Sequence, residues 1–294
     1  MKAARELAGA AWRDPMFMIG FVLSLVAVVL AIVGPWIVPF DPTKTSPNTF
    51  AAPSAHHWAG TDNVGMDVFS RTIAAFRIDV SIAVGAVGIS FFVGAVLGAI
   101  AGYPFESRAL RAFSWFVLRI ADIMQSFPVF VMALVLVGTF GQGLLSIIVA
   151  IAFVSMPAFL RIVRGSMLST VNGAYIEAAK VLGLSDLRIV VRHALPNSLE
   201  AALANISISL GVGVMLTAGL SFVGAGVRPP AAEWGVMIST GSEDLVIGIW
   251  WTTLFPGLAM VMTVVGFALL GDGIRGVLDP VARQSTLKWH KVAG

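Results

Sequence analysis

The stretch VSIAVGAVGISFFVGAVLGAIA, residues 80–101, runs for 22 residues without Asp, Glu, Lys or Arg. A helix needs about 20 apolar residues to cross a hydrocarbon core about 30 Å thick, so this stretch reads as one membrane span. Five more such segments lie to either side, at 16–38, 123–140, 143–160, 201–223 and 246–271, and none of them holds a formal charge. Membrane barrel strands alternate polar and apolar residues over runs of about ten. These runs are longer and continuous, which predicts an all-α membrane protein with six transmembrane helices.

Composition supports the same class. Only 12% of the residues are charged, about half the share of an ordinary soluble domain, and the mean hydropathy is +0.90. In lipid, helices associate through shape and small residues rather than through apolar burial, a need that the 30 glycines meet. Cysteine is absent, which excludes disulfides, thiolate metal sites and cysteine nucleophiles. The first span could be read as a signal peptide. Its apolar run is too long for that, and Pro35, Trp36 and Phe40 stand where small cleavage-site residues belong. An uncleaved helix is expected.

Positive charge orients the chain. With the N-terminus inside, the inner segments hold 15 of the 19 Lys and Arg residues, and only Lys44, Arg71, Arg77 and Arg228 fall outside. Both termini are therefore expected in the cytoplasm, with the segment 39–79 outside. Residues 39–53 read as irregular chain, being rich in Pro, Thr and Ser. Trp58, Trp234, Trp250 and Trp251 fall near the outer boundaries and read as interfacial anchors.

Several chemistries lack their residues. No Gly-Lys-Ser/Thr phosphate loop occurs, so ATP hydrolysis by this chain is not expected. No span holds one of the four histidines, and none supplies the second aspartate that an intramembrane aspartyl protease would need beside Asp272. The chain is read as no enzyme, with no cofactor, no metal and no nucleic-acid partner.

The cytoplasmic loop 161–200 carries a denser pattern. Tyr175 to Leu182 is a good helix former, Gly183 suits the left-handed residue that ends a helix, and Ser185 or Asp186 can cap the next one. Pro196 is expected to stop or kink the chain before the fifth span. Within this loop Glu177-Ala178-Ala179 is followed after three residues by Gly183, and twelve residues after that glycine comes Leu195-Pro196.

That spacing resembles the EAA loop of permease subunits of ATP-binding-cassette importers. His193 takes the slot usually held by isoleucine. Further stretches resemble the second permease of the dipeptide/oligopeptide/nickel family: GTDNVGMDVFSR at 60–71, with Met66 where that family usually has arginine, SFP at 126–128, LSFVGAGVRPP at 220–230, EWG at 233–235, PGL at 256–258, LGDGIR at 270–275 and LDP at 278–280. The resemblance runs from about Asp14 to Pro280.

The resemblance implies a type I importer permease core over 80–272, preceded by a tail, first helix and external segment at 1–79 and followed by a cytoplasmic tail at 273–294. It implies half of a translocation pore for peptides or similar small solutes in the inner membrane. The partners implied are a second permease, cytoplasmic ATP-binding subunits and an external solute-binding protein, besides membrane lipid. Glu177, Ala178, Ala179, Gly183, Leu195 and Pro196 would form the element that couples to the ATPase. Pro128 and Pro256 lie within spans and are candidates for shaping the pore. Arg119 with Asp122, and Asp272 with Arg275, are spaced to pair at the inner edges of spans three and six. Dipeptides, oligopeptides, nickel chelates and other solutes share this permease type, and specificity is expected to lie mainly in the binding protein. The alternative class is an ion-coupled secondary transporter. Such proteins often hold ionisable residues within their spans, and the six segments read here hold no Asp, Glu, Lys or Arg.

Overall fold

The computed structural model describes residues 14–278. Regular structure among them is helical, apart from one isolated antiparallel bridge between Thr61 and Asp67. The helices are α1 (Pro15–Ile37), α2 (Val68–Gly102), α3 (Arg108–Ser126), α4 (Val129–Phe140), α5 (Leu144–Thr170), α6 (Ala174–Val181), α7 (Asp186–Ile189), α8 (Leu195–Ser198), α9 (Glu200–Phe222), α10 (Trp234–Asp244) and α11 (Trp251–Leu278). A π turn, Val190–Ala194, joins α7 to α8.

Helices α1, α2, α5, α9 and α11 are each long and apolar enough to span a membrane, and the bent pair α3–α4 brings the number of candidates to six if it is counted as one span. That third span is broken rather than continuous. Phe127 is extended at φ −92°, ψ 144°, Pro128 caps α4, and the two helices meet at 99°. A proline ring pushes the preceding residue out of the helical region, so Pro128 divides the span that 123–140 suggested.

Two spans reach further than their apolar runs. Helix α2 starts at Val68 and takes in Arg71, Arg77 and Asp79, while α5 continues to Thr170 and carries Arg161 and Arg164. These ionisable residues lie in helical extensions beyond the apolar segments 80–101 and 143–160, which themselves hold none. Each of the three in α2 has a partner. Arg71 donates to the Pro42 carbonyl at 2.9 Å, Arg77 lies over the Trp36 ring at 5.6 Å, and Asp79 accepts the Trp234 N–H at 3.2 Å. Of the stop or kink expected at Pro196, the stop does not occur, and the helix is irregular on either side of it. The chain widens into the π turn and stays helical, with Pro196 in the first turn of α8, where its missing N–H costs little.

The chain forms two compact units, and α2 and α9 contribute to both. The first comprises 14–83, 142–144 and 207–278 of the described residues. In it α1 lies along α11 so closely that a Cβ on Gly266 would stand 2.7 Å from the Leu23 Cβ. Its core gathers Ala27, Ala75, Phe76, Val214 and Phe267 around Trp234. The Trp234 ring meets Phe76 edge to face at 4.6 Å and donates its indole N–H to the Thr72 carbonyl at 3.1 Å. Trp251 is likewise buried and donates to the Thr61 carbonyl at 3.0 Å. These two are core residues with satisfied N–H groups and not the interfacial anchors expected. Trp58 and Trp250 are exposed.

Beside Trp234 sit two fully buried carboxyls. Glu233 caps α10 by accepting from Gly235 N at 2.8 Å and Val236 N at 2.9 Å. Asp79 lies next to it, with Oδ2 accepting from the backbone N–H of Trp234 and Oδ1 without a donor.

The second unit comprises 84–141 and 145–206. Its spine is a glycine seam. Gly94, Gly98 and Gly102 recur every fourth residue on α2 and face α5. A Cβ at these positions would stand 2.7 Å from the Phe159 Cβ, 2.6 Å from the Leu160 carbonyl oxygen and 2.7 Å from the Met167 Cβ. Ser90 ties the same two helices by donating to Ala152 O at 2.9 Å, and Phe91 meets Phe159 at 5.8 Å, edge to face. Small residues that admit close backbones are what membrane helices need to pack.

Two stability measurements follow. Gly98→Ala should destabilise the purified protein by about 1–3 kcal/mol, the usual cost of overpacking, whereas Gly88→Ala on the same helix, with open space around it, should be near neutral; equal melting temperatures for the two variants would dismiss the seam. Asp79→Asn keeps an acceptor for the Trp234 N–H and brings an N–H donor towards Glu233, so its melting temperature should match or exceed wild type. Asp79→Leu strands the Trp234 N–H and should cost about 1–3 kcal/mol; an Asn variant as damaged as the Leu variant would contradict this account.

Candidate functional site

The loop between α5 and α9 is helical almost throughout. An isolated helix as short as α6 is unstable in water, so its neighbours must hold it. Ile176 and Ala179, one turn apart, are buried, and Ile189, Val190 and Ala194 bury the return limb. Gly183 closes α6 at φ +75°, donating its N–H to Lys180 O at 2.9 Å, while Leu184 N reaches back to Ala179 O at 3.2 Å. This is the left-handed ending that the sequence suggested. Ser185 stands at the N-cap of α7 without a side-chain cap bond, and Asp186 is engaged elsewhere.

The residues singled out in the sequence fall on different sides of this loop. Glu177 and Ala178 are exposed, Ala179 is turned into the protein, and Gly183 sits at the exposed tip. Beyond the EAA residues the tip is apolar: Val181 is 84% exposed, Leu182 79% and Leu187 70%. Leu195 is half-buried and Pro196 exposed on the return limb. Asn197 fastens the base, donating to His193 O at 2.8 Å and to the Tyr175 hydroxyl at 3.2 Å.

Tyr103 was not foreseen. It follows directly on the seam glycine Gly102, is buried, and donates its hydroxyl to Asp186 Oδ1 at 2.8 Å. The Lys180 ammonium lies 5.6 Å from the centre of its ring, and Phe105 packs against it at 4.7 Å. Burial first, and then the Asp186 carboxylate, raise the phenol well above its ordinary pKa, so it remains a donor at physiological pH. A signal was present in the sequence. The chain has only two tyrosines, Tyr103 and Tyr175, and both serve this loop.

The other candidates stand apart from the tip. Asp122 takes Arg161 of α5 at 2.7 Å and Arg119 at the longer distance of 3.8 Å, so its shorter ion pair bridges α3 to α5. The groups are half-exposed, and such pairs contribute little to stability. Asp272 and Arg275 are exposed on α11. Pro128 is exposed at the α3–α4 break, whereas Pro256 is buried within an uninterrupted α11. A cavity of about 180 Å³ beside α2 and α5 is lined by Ile89, Val93, Val149, Ala152, Phe153 and Met156, all apolar. Among the described residues no group of three or more His, Cys, Asp or Glu is placed to hold a metal ion. Asp279 and Pro280, the tail charges Arg283, Lys288 and Lys291, and Lys2, Arg5 and Arg13 lie outside the described residues.

Residues 94–284 match the binding-protein-dependent transport system inner membrane component, and residues 11–53 match the N-terminal TM domain of oligopeptide transport permease C. The chain is 37% identical over 266 residues to the glutathione transport system permease protein GsiD of Pectobacterium atrosepticum, covering 88% of this chain and 84% of that one. It is 35% identical over 270 residues to the probable D,D-dipeptide transport system permease protein DdpC of Escherichia coli, covering 92% and 89%. Its fold is shared with a chain of the MetNI methionine ABC transporter in inward-facing conformations, at a TM-score of 0.53 and 23% identity over 70% of this chain and 96% of that one. The chain belongs to the binding-protein-dependent transport system inner membrane component family and is a multi-pass inner-membrane permease subunit of an ABC importer.

Proposed function

We propose that this permease forms half of a translocation path for peptides or related small solutes, beside a second permease subunit, and that its EAA loop docks on a cytoplasmic ATP-binding subunit. The carrying observation is the exposed apolar tip. Val181, Leu182 and Leu187 face water at the end of a well-anchored helical hairpin, and exposed apolar surface of that kind is where a partner binds. Glu177 supplies a charge beside it, and Ala178 a small contact that allows close approach. Ala179, Leu195 and Pro196 shape the support beneath. The relatives named for glutathione, D,D-dipeptides and peptides favour a peptide-like solute, which an external binding protein would deliver.

The organisation proposed is an N-terminal tail, first helix and external segment at 1–79, the permease domain at 80–272 with its coupling loop at 161–200, and a cytoplasmic tail at 273–294. Both termini are placed in the cytoplasm by the 15-to-4 distribution of positive charge. Transport is alternating access. Closure of the ATPase pair on ATP draws the coupling loops together, the spans tilt to open the path outward, and hydrolysis resets them. Pro128 and Pro256 are candidate points of helix deformation in that cycle. Asp122 with Arg119, and Asp272 with Arg275, are candidates for fixing the inner ends of the spans.

The orientation is tested with a single cysteine at Tyr175, since the chain has no native one. An impermeant thiol reagent should label it only after the cells are opened; labelling in sealed cells would reverse the topology. The coupling role is tested with Gly183→Val and Glu177→Lys. A Cβ at Gly183 meets no atom within 4 Å, so valine there acts through the positive φ alone, which a β-branched residue fits poorly. Both variants should reach the membrane at normal abundance, hold less ATPase on co-purification and lose uptake of labelled glutathione and dipeptides. Wild-type ATPase retention and uptake in both would remove the loop from the mechanism.

A further inference from the structure

We infer that Tyr103 is a positioning residue that fixes the coupling loop to the inner end of α2, so that a displacement of the loop is passed to the α2–α5 pair as one body. The inference rests on the docking role proposed for the loop and adds the link from that loop to the membrane. Two joints, both departures from regular α-helix, lie in the covalent path from the docking tip to the spans. One is the Thr170–Gly173 turn after α5, and the other is the π turn before α8. A pull on the tip would be absorbed at these joints if nothing bridged them.

Tyr103 bridges them. It stands one residue beyond α2, at the end of the Gly94–Gly98–Gly102 seam that binds α2 to α5. Its hydroxyl reaches Asp186 in the first turn of α7, just past the tip, at 2.8 Å. Its ring lies under the Lys180 ammonium, on α6 just before the tip. One side chain thus contacts the limbs on both sides of Gly183. Arg164 adds a second tie between the helices by donating from Nε to Ala101 O at 3.4 Å. Tyr103 itself is buried and is no part of the exposed docking surface.

A hydrogen bond to a charged group is strong enough to matter here: its loss shifts the equilibrium between tethered and released loop by about tenfold or more. Spin labels on otherwise cysteine-free importer would read this shift. Phe92→Cys on α2 and Val191→Cys in the π turn are both exposed, and the intact complex, with its ATPase subunits, is measured without nucleotide and trapped with ATP and vanadate. With Tyr103 present, one narrow distance should persist in both states. Tyr103→Phe should keep ATPase co-purification but add a second, displaced population under ATP and vanadate. Asp186→Ala should do the same, and the double variant should be no worse than either single change. Asp186→Asn, which still accepts from the phenol, should restore the single distance.

An unchanged narrow distribution in Tyr103→Phe and in Asp186→Ala would overturn the inference. Loss of ATPase binding in Tyr103→Phe would overturn it as well, because Tyr103 would then be supporting the docking surface rather than transmitting its motion. Failure of the docking role itself is read separately, from Glu177→Lys and Gly183→Val that hold the ATPase as wild type does.

Discussion

The close approach of α2 and α5 is the contact on which the rest depends. Lipid tails are as apolar as leucine side chains, so two membrane helices gain little by burying apolar surface against each other. Glycines at 94, 98 and 102 substitute shape for that missing drive. With no side chain to hold the helices apart, the backbone of α2 comes against Phe159, Leu160 and Met167, and dispersion over many atoms stabilises the pair. The seam ends where α2 gives way to Tyr103 and α5 runs on past Arg161 and Arg164. The position of the loop between α5 and α9 is therefore set by the packing of the spans.

Spans and loop were legible to different degrees, for physical reasons. Hydropathy sees the hydrocarbon requirement, so the six apolar runs are plain in the sequence, but it does not see where a helix continues outside hydrocarbon. That is why α2 extends past Asp79 to Val68, and α5 past Arg161 to Thr170. The break at Phe127-Pro128 was visible as a proline but not as a 99° turn, because a proline within a span permits a bend of any size that its surroundings can satisfy. Tryptophan near a boundary suggested anchoring. Trp234 and Trp251 instead find carbonyl partners in the core, and composition cannot reveal a hydrogen-bond partner 162 or 190 residues away in the chain.

The candidate site shows the same division. Gly183 announced a left-handed helix end through its residue type alone, and the backbone there has φ +75°. The EAA spacing marked the loop but not which of its residues face outward. Ala178 and Ala179 are equivalent as letters, and only the packing of Ile176 decides that Ala179 shares its buried face while Ala178 does not. Tyr103 escaped notice because its partner, Asp186, lies 83 residues on, and a tyrosine at the end of a span has interfacial anchoring as its ordinary explanation.

As the coupling element proposed above, the hairpin meets two demands that pull against each other. Docking needs apolar side chains in water, which an isolated helix could present only at the expense of its own fold. A hairpin this short has too few internal bonds to stay helical alone, and exposing Val181, Leu182 and Leu187 deprives it of the burial that would help. The deficit is made up on the opposite face. Ile176, Ala179, Ile189, Val190 and Ala194 are buried there, and the polar ties of Asn197 to Tyr175 and His193 hold the limbs. The polar ties also add direction, which apolar contact lacks. A buried leucine in place of Tyr103 could hold the loop down, but only a directed donor at Asp186 fixes the angle at which the hairpin leaves the membrane. Under the docking role proposed for the loop, transport depends on that angle, because a docking surface that swivels on its mount spends each ATPase closure on its own rotation and leaves the spans where they were.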